Sequence, residues 1–179
     1  MARIQLYIAQ SLDGYIADSE GGVEWLEAFQ SEGGDGEEHG YADFLAGVRA
    51  VAMGSVTYMQ LLSWDIEWPY PGLPAWIFTH RELPVAKGAD IRFASGPVEQ
   101  VVAEMERATE GNIWLVGGGA LVKQFVDAGL LDELILFVVP VLLGAGIPLF
   151  QGTAPARATL TGSKQHPSGL VELRYTLPR

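Results

Sequence analysis

The chain has 179 residues, of which 49% are hydrophobic and 18% charged; this composition suits one globular domain over residues 1–179 and excludes disordered and fibrous proteins. Its 11 Lys and Arg residues stand against 22 Asp and Glu residues, and the net charge of −11 excludes nucleic acids and anionic membranes as expected partners. The absence of cysteine excludes disulfides, thiolate metal sites and a cysteine nucleophile.

The first half of the chain predicts strands, short helices and one long loop. Alternating apolar residues over 4–11 predict a first strand that enters the Asp13–Gly14 turn. Residues 18–40 are rich in glycine and acidic residues and predict a long loop. That loop carries an apolar patch (Val23, Trp25, Leu26, Phe29) and an acidic face expected to be solvated (Glu32, Asp35, Glu37, Glu38). The elements predicted next are a helix over 41–48, a strand over 50–53 and a helix over 57–62.

The second half alternates strands with helices. The predicted strands are 75–78, 91–94, 113–116, 133–139, 158–164 and 170–176. Between them, an apolar face at Val98, Val101, Val102 and Met105 predicts a helix over 97–109, and a second helix follows three glycines and ends at Gly129. This alternation predicts an α/β fold with a mostly parallel sheet and an antiparallel C-terminal edge.

Neither the N-terminus nor the most apolar segment predicts export or membrane insertion. No sustained apolar stretch of the kind found in signal peptides precedes Asp13. The longest apolar run, 134–143, is about half as long as a membrane span. We therefore expect a cytoplasmic protein, in which this run is either a buried strand or part of a homodimer interface.

Three consecutive glycines, Gly117, Gly118 and Gly119, separate a predicted strand from a predicted helix. Because glycine has no Cβ, such a turn lets the backbone approach a pyrophosphate, and the helix start favours its negative charge. Alternatively, the glycines only allow a tight turn and close packing of helix on sheet. The spacing also differs from G-x-G-x-x-G, so the sequence leaves both interpretations open.

Two other segments place polar residues after predicted strands. After Gly54, the hydroxyls of Ser55 and Thr57 either cap a helix or bind phosphate. The second segment consists of Thr79, His80 and Arg81, which either bind a ribose phosphate or form a solvated turn.

Asp13 and Trp25 are the candidates for the substrate side. Asp13 either orients substrate and relays a proton or fixes its own turn. Trp25 either covers a flat ligand or packs into the core. The histidines lack the spacing of metal ligands, so no metal site is expected.

Taken in order, several segments resemble the dihydrofolate reductase superfamily, most closely the reductase domain of bifunctional riboflavin-biosynthesis proteins and its stand-alone relatives. These segments are Ser11–Ala17, Trp25, Met53–Tyr58, Val116–Gly119, Asp132–Leu134, Pro140–Gly146 and Leu149–Phe150. They span nearly the whole chain, and their order is more specific than any one of them. The resemblance implies a central sheet of about eight strands with flanking helices, and a cofactor across the carboxyl ends of the strands.

The resemblance also implies NADPH as the hydride donor, with NADH left open, and it assigns positions around the cofactor. The nicotinamide would lie near Ala9 and Ile16. The phosphates would lie near Gly54, Ser55 and Thr57, and the adenosine end near Thr79, His80 and Arg81. The pyrophosphate would lie near Gly117, Gly118, Gly119, Ala120 and Leu121, with Val116 adjoining. Asp13 and Trp25 would border the substrate cleft, with Asp13 as the catalytic candidate.

Two departures from the dihydrofolate reductase pattern shape the functional hypotheses. Ser55 stands where those enzymes often carry an arginine for the cofactor's phosphates, so a preference for NADPH would rest on His80 and Arg81. The acidic residue that binds the pterin would fall near Gln30, and Glu27 is out of register, which argues against dihydrofolate reductase activity itself. A companion deaminase domain with its zinc ligands is also not expected.

The sequence therefore predicts an NAD(P)H-dependent reductase that acts on a C=N or C=O bond of a small pterin- or pyrimidine-like heterocycle. Reduction of 5-amino-6-(5-phosphoribosylamino)uracil is included, with protonation by water or by Asp13. The alternative is a non-catalytic homodimer that binds a dinucleotide or another metabolite. The resemblance implies a homodimer in either case.

Overall fold

The structure, a computed structural model, describes residues 2–31 and 40–179. Its strands are β1 (Ile4–Ser11), β2 (Tyr15–Ala17), β3 (Val48–Gly54), β4 (Pro74–Phe78), β5 (Asp90–Ala94), β6 (Asn112–Gly117), β7 (Glu133–Val139), β8 (Ile147–Pro148), β9 (Thr159–Gln165) and β10 (Val171–Thr176). Its helices are α1 (Glu27–Ser31), α2 (Tyr41–Gly47), α3 (Ser55–Ser63), α4 (Val98–Ala108) and α5 (Gly119–Asp127), and a 3-10 turn at Glu24–Leu26 leads into α1.

Eight of the described strands form one sheet in the order β5-β4-β3-β6-β1-β7-β10-β9. The six strands from β5 to β7 pair in parallel. Strands β10 and β9 add an antiparallel edge, joined by the predicted turn at 167–169. The predicted α/β fold, with a mostly parallel sheet and an antiparallel C-terminal edge, is confirmed.

Alternate residues of the central strands build an apolar layer on each face of the sheet, because successive side chains of a strand point to opposite faces. The first layer, core A, joins Leu6 and Leu115 to helices α4 and α5. The second layer, core B, joins Met53 to helices α2 and α3. Helices α3 and α5 therefore cover opposite faces of the sheet.

Helix α4 is the amphipathic helix that the sequence predicts. Its four apolar residues are buried in core A. Pro97 stands at the N-cap rather than inside the helix, and Thr109 is the C-cap, so the helix is one residue shorter at each end than predicted. The predicted bounds of the other helices shift by similar amounts, since helix ends depend on cap geometry.

The predicted loop over 18–40 is wrong at residues 24–31, which form the 3-10 turn and α1. Trp25, Leu26 and Phe29 pack against core B. Their spacing suits a helical turn, but the glycine- and acid-rich surroundings hide it. The acidic residues Glu32, Asp35, Glu37 and Glu38 lie outside the described residues.

A second, two-stranded sheet pairs β2 with β8. The sequence does not predict it, because strands of three and two residues show no recognisable alternation. Tyr15 pairs with Pro148 and Ala17 with Ile147. The pairing joins the turn after β1 to the segment after β7.

The apolar run over 134–143 is largely strand β7. Its residues Leu134, Ile135, Leu136, Phe137 and Val139 are at most 7% exposed and lie in the two cores. A strand buried on both faces explains this run, which therefore lends no support to a homodimer interface. Across residues 2–31 and 40–179, no helix is both long and apolar enough to cross a membrane.

Candidate functional site

A topological switch point lies between β3 and β6 at the carboxyl ends of the parallel strands. The chain leaves β3 toward β4 through α3 and leaves β6 toward β7 through α5, in opposite directions along the sheet. Open α/β sheets bind ligands at such a switch point. A Cβ built on Gly54 would lie 3.9 Å from the carbonyl oxygen of Gly117 and 4.0 Å from the nitrogen of Gly118. The two turns, Gly54–Ser55 and Gly117–Gly119, therefore lie side by side, and we call them the glycine crevice.

Two helices begin at the glycine crevice. Helix α3 starts after Gly54 and α5 after Gly118. Both cap residues are glycines, so neither helix has a side-chain cap. The N–H groups of the first turns and the positive ends of two helix dipoles therefore converge at the crevice. Helix starts of this kind bind anions, and two together suit a pyrophosphate. Gly54, rather than Ser55 or Thr57, is the N-cap of α3, and phosphate binding by the two hydroxyls stays a prediction.

The three consecutive glycines differ in what surrounds them. Gly117 has φ of +129°, a conformation that residues with a side chain rarely adopt. A Cβ on Gly119 would lie 2.6 Å from the carbonyl oxygen of Pro148, so Gly119 is required for packing. A Cβ on Gly118 would meet only the Thr57 hydroxyl, at 3.4 Å. The protein therefore has room for a methyl group at Gly118 in contact with Thr57. The Gly117–Gly118 peptide bond is cis.

Arg81 brings a positive charge to the start of α3. Its Nη2 donates a hydrogen bond to the Ser55 hydroxyl over 3.0 Å. The Arg81 backbone N–H donates to the Thr79 hydroxyl, also over 3.0 Å, and the Thr79 N–H donates to the carbonyl of Ala94 over 2.9 Å. The exit of β4 therefore holds Arg81 over the glycine crevice, with His80 exposed beside it.

The residues predicted to lie near the nicotinamide are half-buried at the end of β1 and in β2. Ile16 packs against core A and Ala9 against core B. Ile8 connects this region to the crevice, since a Cβ on Gly117 would lie 3.7 Å from its Cδ1. The assignment of Ala9 and Ile16 to the nicotinamide stays a prediction.

The remaining predicted pyrophosphate contacts differ in accessibility. Ala120 is exposed and Val116 is half-buried. Leu121 is only 3% exposed, and its N–H donates to the Gly118 carbonyl within α5. Leu121 therefore serves the helix and core A, and Gly118 and the helix starts are better placed for a ligand.

Asp13 accepts three hydrogen bonds. Its Oδ1 accepts from the Ser11 hydroxyl at 2.6 Å and the Leu143 N–H at 3.1 Å, and its Oδ2 accepts from the Gly144 N–H at 2.8 Å. The bond from Ser11, assisted by the two backbone bonds, lowers the pKa of Asp13 below its usual value. These contacts supply the turn-fixing role and keep the carboxylate ionised; the catalytic role stays a prediction.

Trp25 is half-buried in the 3-10 turn before α1 and packs against core B. Its indole nitrogen is buried and has no hydrogen-bond acceptor among the described residues. Gln60 of α3 donates to the Gly21 carbonyl over 2.8 Å, which links the segment before Trp25 to α3. The contacts favour packing for Trp25, whose role in substrate binding stays a prediction.

Sequence reasoning missed the partners of these residues. Nothing in the sequence pairs Ser55 with Arg81, which is 26 positions away, or Asp13 with Gly144, which is 131 positions away. Ser11 is completely buried and accepts the Tyr15 N–H while it donates to Asp13. The short spacing of Ser11 and Asp13 is the one local signal for the turn. Among the described residues, no group of three or more His, Asp or Glu side chains could hold a metal ion.

Residues 71–171 match the family model described as the RibD C-terminal domain. The uncharacterized protein YwjB of Bacillus subtilis (strain 168) is 35% identical to this chain over 171 residues, which cover 95% of both sequences. The family match covers more than half of the chain, and YwjB is similar over nearly its whole length; neither finding assigns an activity.

Solved structures share the fold. One from Shewanella sp. PV-4, of a protein named for riboflavin biosynthesis, is 27% identical and matches with a TM-score of 0.88 over 100% of both chains. Dihydrofolate reductase from Enterococcus faecalis, solved with NADP(H), is 16% identical and has a TM-score of 0.61, covering 98% of this chain and 96% of that chain. The predicted resemblance is confirmed: this chain belongs to the RibD C-terminal domain family and has the dihydrofolate reductase fold.

Proposed function

We propose that this protein is an NAD(P)H-dependent reductase that transfers a hydride to a small heterocyclic substrate. The observation that carries the proposal is the glycine crevice. Two helix starts without side-chain caps lie side by side there, and Arg81 reaches the start of α3. Membership of the RibD C-terminal domain family supports the same activity.

The chain's own groups would hold the dinucleotide by its phosphates. N–H groups at the starts of α3 and α5 would donate to the pyrophosphate oxygens, and the missing side chain of Gly118 would allow close approach. The Thr57 hydroxyl lies next to that space. When bound, the nicotinamide supplies the hydride. The protein's contribution is then to fix the positions of two flat rings relative to each other.

NADPH is the proposed cofactor in preference to NADH. The additional phosphate of NADPH needs a positive charge, and Ser55 at the start of α3 does not provide one. Arg81 lies against Ser55 instead, and a guanidinium binds phosphate through paired hydrogen bonds. His80 would add a second donor beside it.

The proposed substrate is a pterin- or pyrimidine-like compound with a C=N or C=O bond to reduce, such as 5-amino-6-(5-phosphoribosylamino)uracil. Trp25 and Asp13 border the substrate cleft in this proposal. Water is the better proton donor, because the hydrogen bond from Ser11 lowers the pKa of Asp13 and keeps its carboxylate ionised. We further propose that the protein acts in the cytoplasm as a homodimer.

A titration with NADPH and NADH, followed by nicotinamide fluorescence, tests the proposal. We expect saturable binding with tighter affinity for NADPH, then loss of nicotinamide absorbance with a substrate from a panel of pterins, pyrimidines and quinonoid compounds. Binding without oxidation of the nucleotide by any compound of the panel would favour the non-catalytic homodimer. The Asp13 carboxylate accepts three hydrogen bonds within the protein, which also favours that alternative. Failure to bind either nucleotide would contradict both functions.

A further inference from the structure

Residues 142–149, which we call the strap, follow β7 in the chain and end against the start of α5. The strap contains β8 and pairs with β2 through it. Just before it the Leu12 N–H donates to the Val141 carbonyl over 2.8 Å, and at its end the Leu149 N–H donates to the Gly14 carbonyl over 3.0 Å. The turn after β1 therefore holds the strap at both ends.

Asp13 is the side chain that holds the first turn of the strap. Its two carboxylate oxygens accept the N–H groups of Leu143 and Gly144. The buried Ser11 hydroxyl donates to the same carboxylate and accepts the Tyr15 N–H, so it orients Asp13 from inside the protein. Hydrogen bonds between backbone N–H groups and a carboxylate are stronger than those between neutral groups.

The far end of the strap lies directly against the glycine crevice. A Cβ on Gly119, the first residue of α5, would be 2.6 Å from the Pro148 carbonyl oxygen and 3.4 Å from that of Leu149. Earlier in the strap, a Cβ on Gly146 would collide with the Ala17 carbonyl oxygen of β2. At these two glycines the strap packs directly against backbone, so we expect a displacement of the strap to displace the start of α5.

We propose that Asp13 is a positioning residue: by holding the strap, it fixes the start of α5 and thereby sets the affinity of the glycine crevice for a phosphate-bearing ligand. The identity of that ligand as NADPH rests on the proposed function. Although Asp13 borders the proposed substrate cleft, its effect on the crevice passes through the strap, and its carboxylate acts as an ionised acceptor. A proton donor would instead need its carboxyl group protonated and directed toward substrate.

Two substitutions disturb the strap in independent ways. Asp13→Asn replaces one acceptor oxygen with an NH₂ group that faces a backbone N–H, and Gly146→Ala pushes the strap away from β2 while Asp13 stays intact. Asp18→Asn is the matched control, since Asp18 accepts the N–H groups of Glu20 and Gly22 in a separate turn.

We expect Asp13→Asn and Gly146→Ala each to raise the Kd for NADPH about tenfold, as the loss of one good hydrogen bond would, and to leave the pH profile of kcat unchanged. Asp18→Asn should bind like the wild type. In the ligand-free protein, amide hydrogen exchange should become faster in the strap and at residues 119–122 in both strap variants.

Three outcomes would overturn the proposal. One is a lower kcat for Asp13→Asn with an ionisation missing from its pH profile and an unchanged Kd, as expected of a proton donor. Another is faster exchange in the strap alone, with residues 119–122 unaffected. The third is a lower Tm for both strap variants with Kd and exchange at 119–122 unchanged, as a merely structural role predicts. If the wild type binds neither nucleotide, the proposed function fails, and the exchange experiment still decides whether Asp13 positions α5.

Discussion

Arg81 shows how a charge can be supplied to a site from a different part of the chain. Dihydrofolate reductases, which this family resembles, often carry an arginine at the start of the helix where this chain has Ser55. Here the exit of β4 brings Arg81 to the Ser55 hydroxyl. The sequence reveals the presence of Arg81 and the departure at Ser55, but their contact depends on the pairing of β3 with β4 and cannot be read from spacing.

Replacing Arg81 tests this interpretation. Arg81→Ala should raise the Kd for NADPH about tenfold or more and leave the Kd for NADH nearly unchanged, because a charge-assisted contact to the additional phosphate is lost. Arg92→Ala is the control, since Arg92 pairs with Asp90 on β5. Equal losses of affinity for the two nucleotides, measured by the same fluorescence titration, would show that Arg81 does not select between them.

The lowered pKa of Asp13 predicts how stability depends on pH. Because folding lowers this pKa from 3.8, the carboxylate stabilises the fold at any pH above that value and loses its contribution as the pH falls toward the folded value. Urea unfolding should therefore show a wild type more stable than Asp13→Asn at about pH 7 and about pH 5, with the difference shrinking below about pH 4. A difference that grows in acid would contradict the assignment.

At the scale of elements, periodicity predicts the long helices and the sheet strands and fails for short segments. Helix α4 and strand β7 show clear patterns, and both form within one residue of their predicted bounds. The 3-10 turn with α1, and the strands β2 and β8, are too short for a period to be recognised. Strands β2 and β8 brace the turn after β1 and the strap beside the glycine crevice, so the glycine turns could be predicted but their bracing could not.

The contact between the strap and α5 predicts an unequal response to two glycine substitutions. Gly119→Ala forces a Cβ against the Pro148 carbonyl oxygen and should destabilise the fold by about 1–3 kcal/mol in urea unfolding. Gly96→Ala is the control, because its Cβ would meet the nearest atom, Val101 Cγ2, at an ordinary 3.9 Å. Equal stability of the two variants would show that the strap moves aside without cost.

At the scale of the whole molecule, a net charge of −11 coexists with a local site suited to anions. Two helix starts and one guanidinium act over a few ångströms, whereas the net charge acts at long range and is screened by salt. The net charge therefore argues against nucleic acid as a partner, but it carries no information about the glycine crevice. The order of the strands, which sets the crevice between β3 and β6, was not predicted, since the resemblance implied only a central sheet of about eight strands with the cofactor across their carboxyl ends.

The predicted homodimer is a property of the assembled molecule. Leu12 and Leu142 are 60% and 69% exposed at the carboxyl edge of the sheet, and covering such side chains favours association. Sedimentation equilibrium should give about twice the chain mass of 19.3 kDa. A single species with the mass of one chain at micromolar concentration would contradict the dimer.

The affinity of Gly118→Ala for NADPH, compared with the wild type and with Gly96→Ala, tests the glycine crevice as a phosphate site most directly. The structure has room for the new methyl group beside Thr57, so the variant should fold with a Tm close to that of the wild type. The methyl group would occupy the space proposed for the pyrophosphate, and we expect the Kd to rise at least about tenfold. Unchanged affinity in a folded Gly118→Ala protein would show that the glycines serve only the turn and its packing.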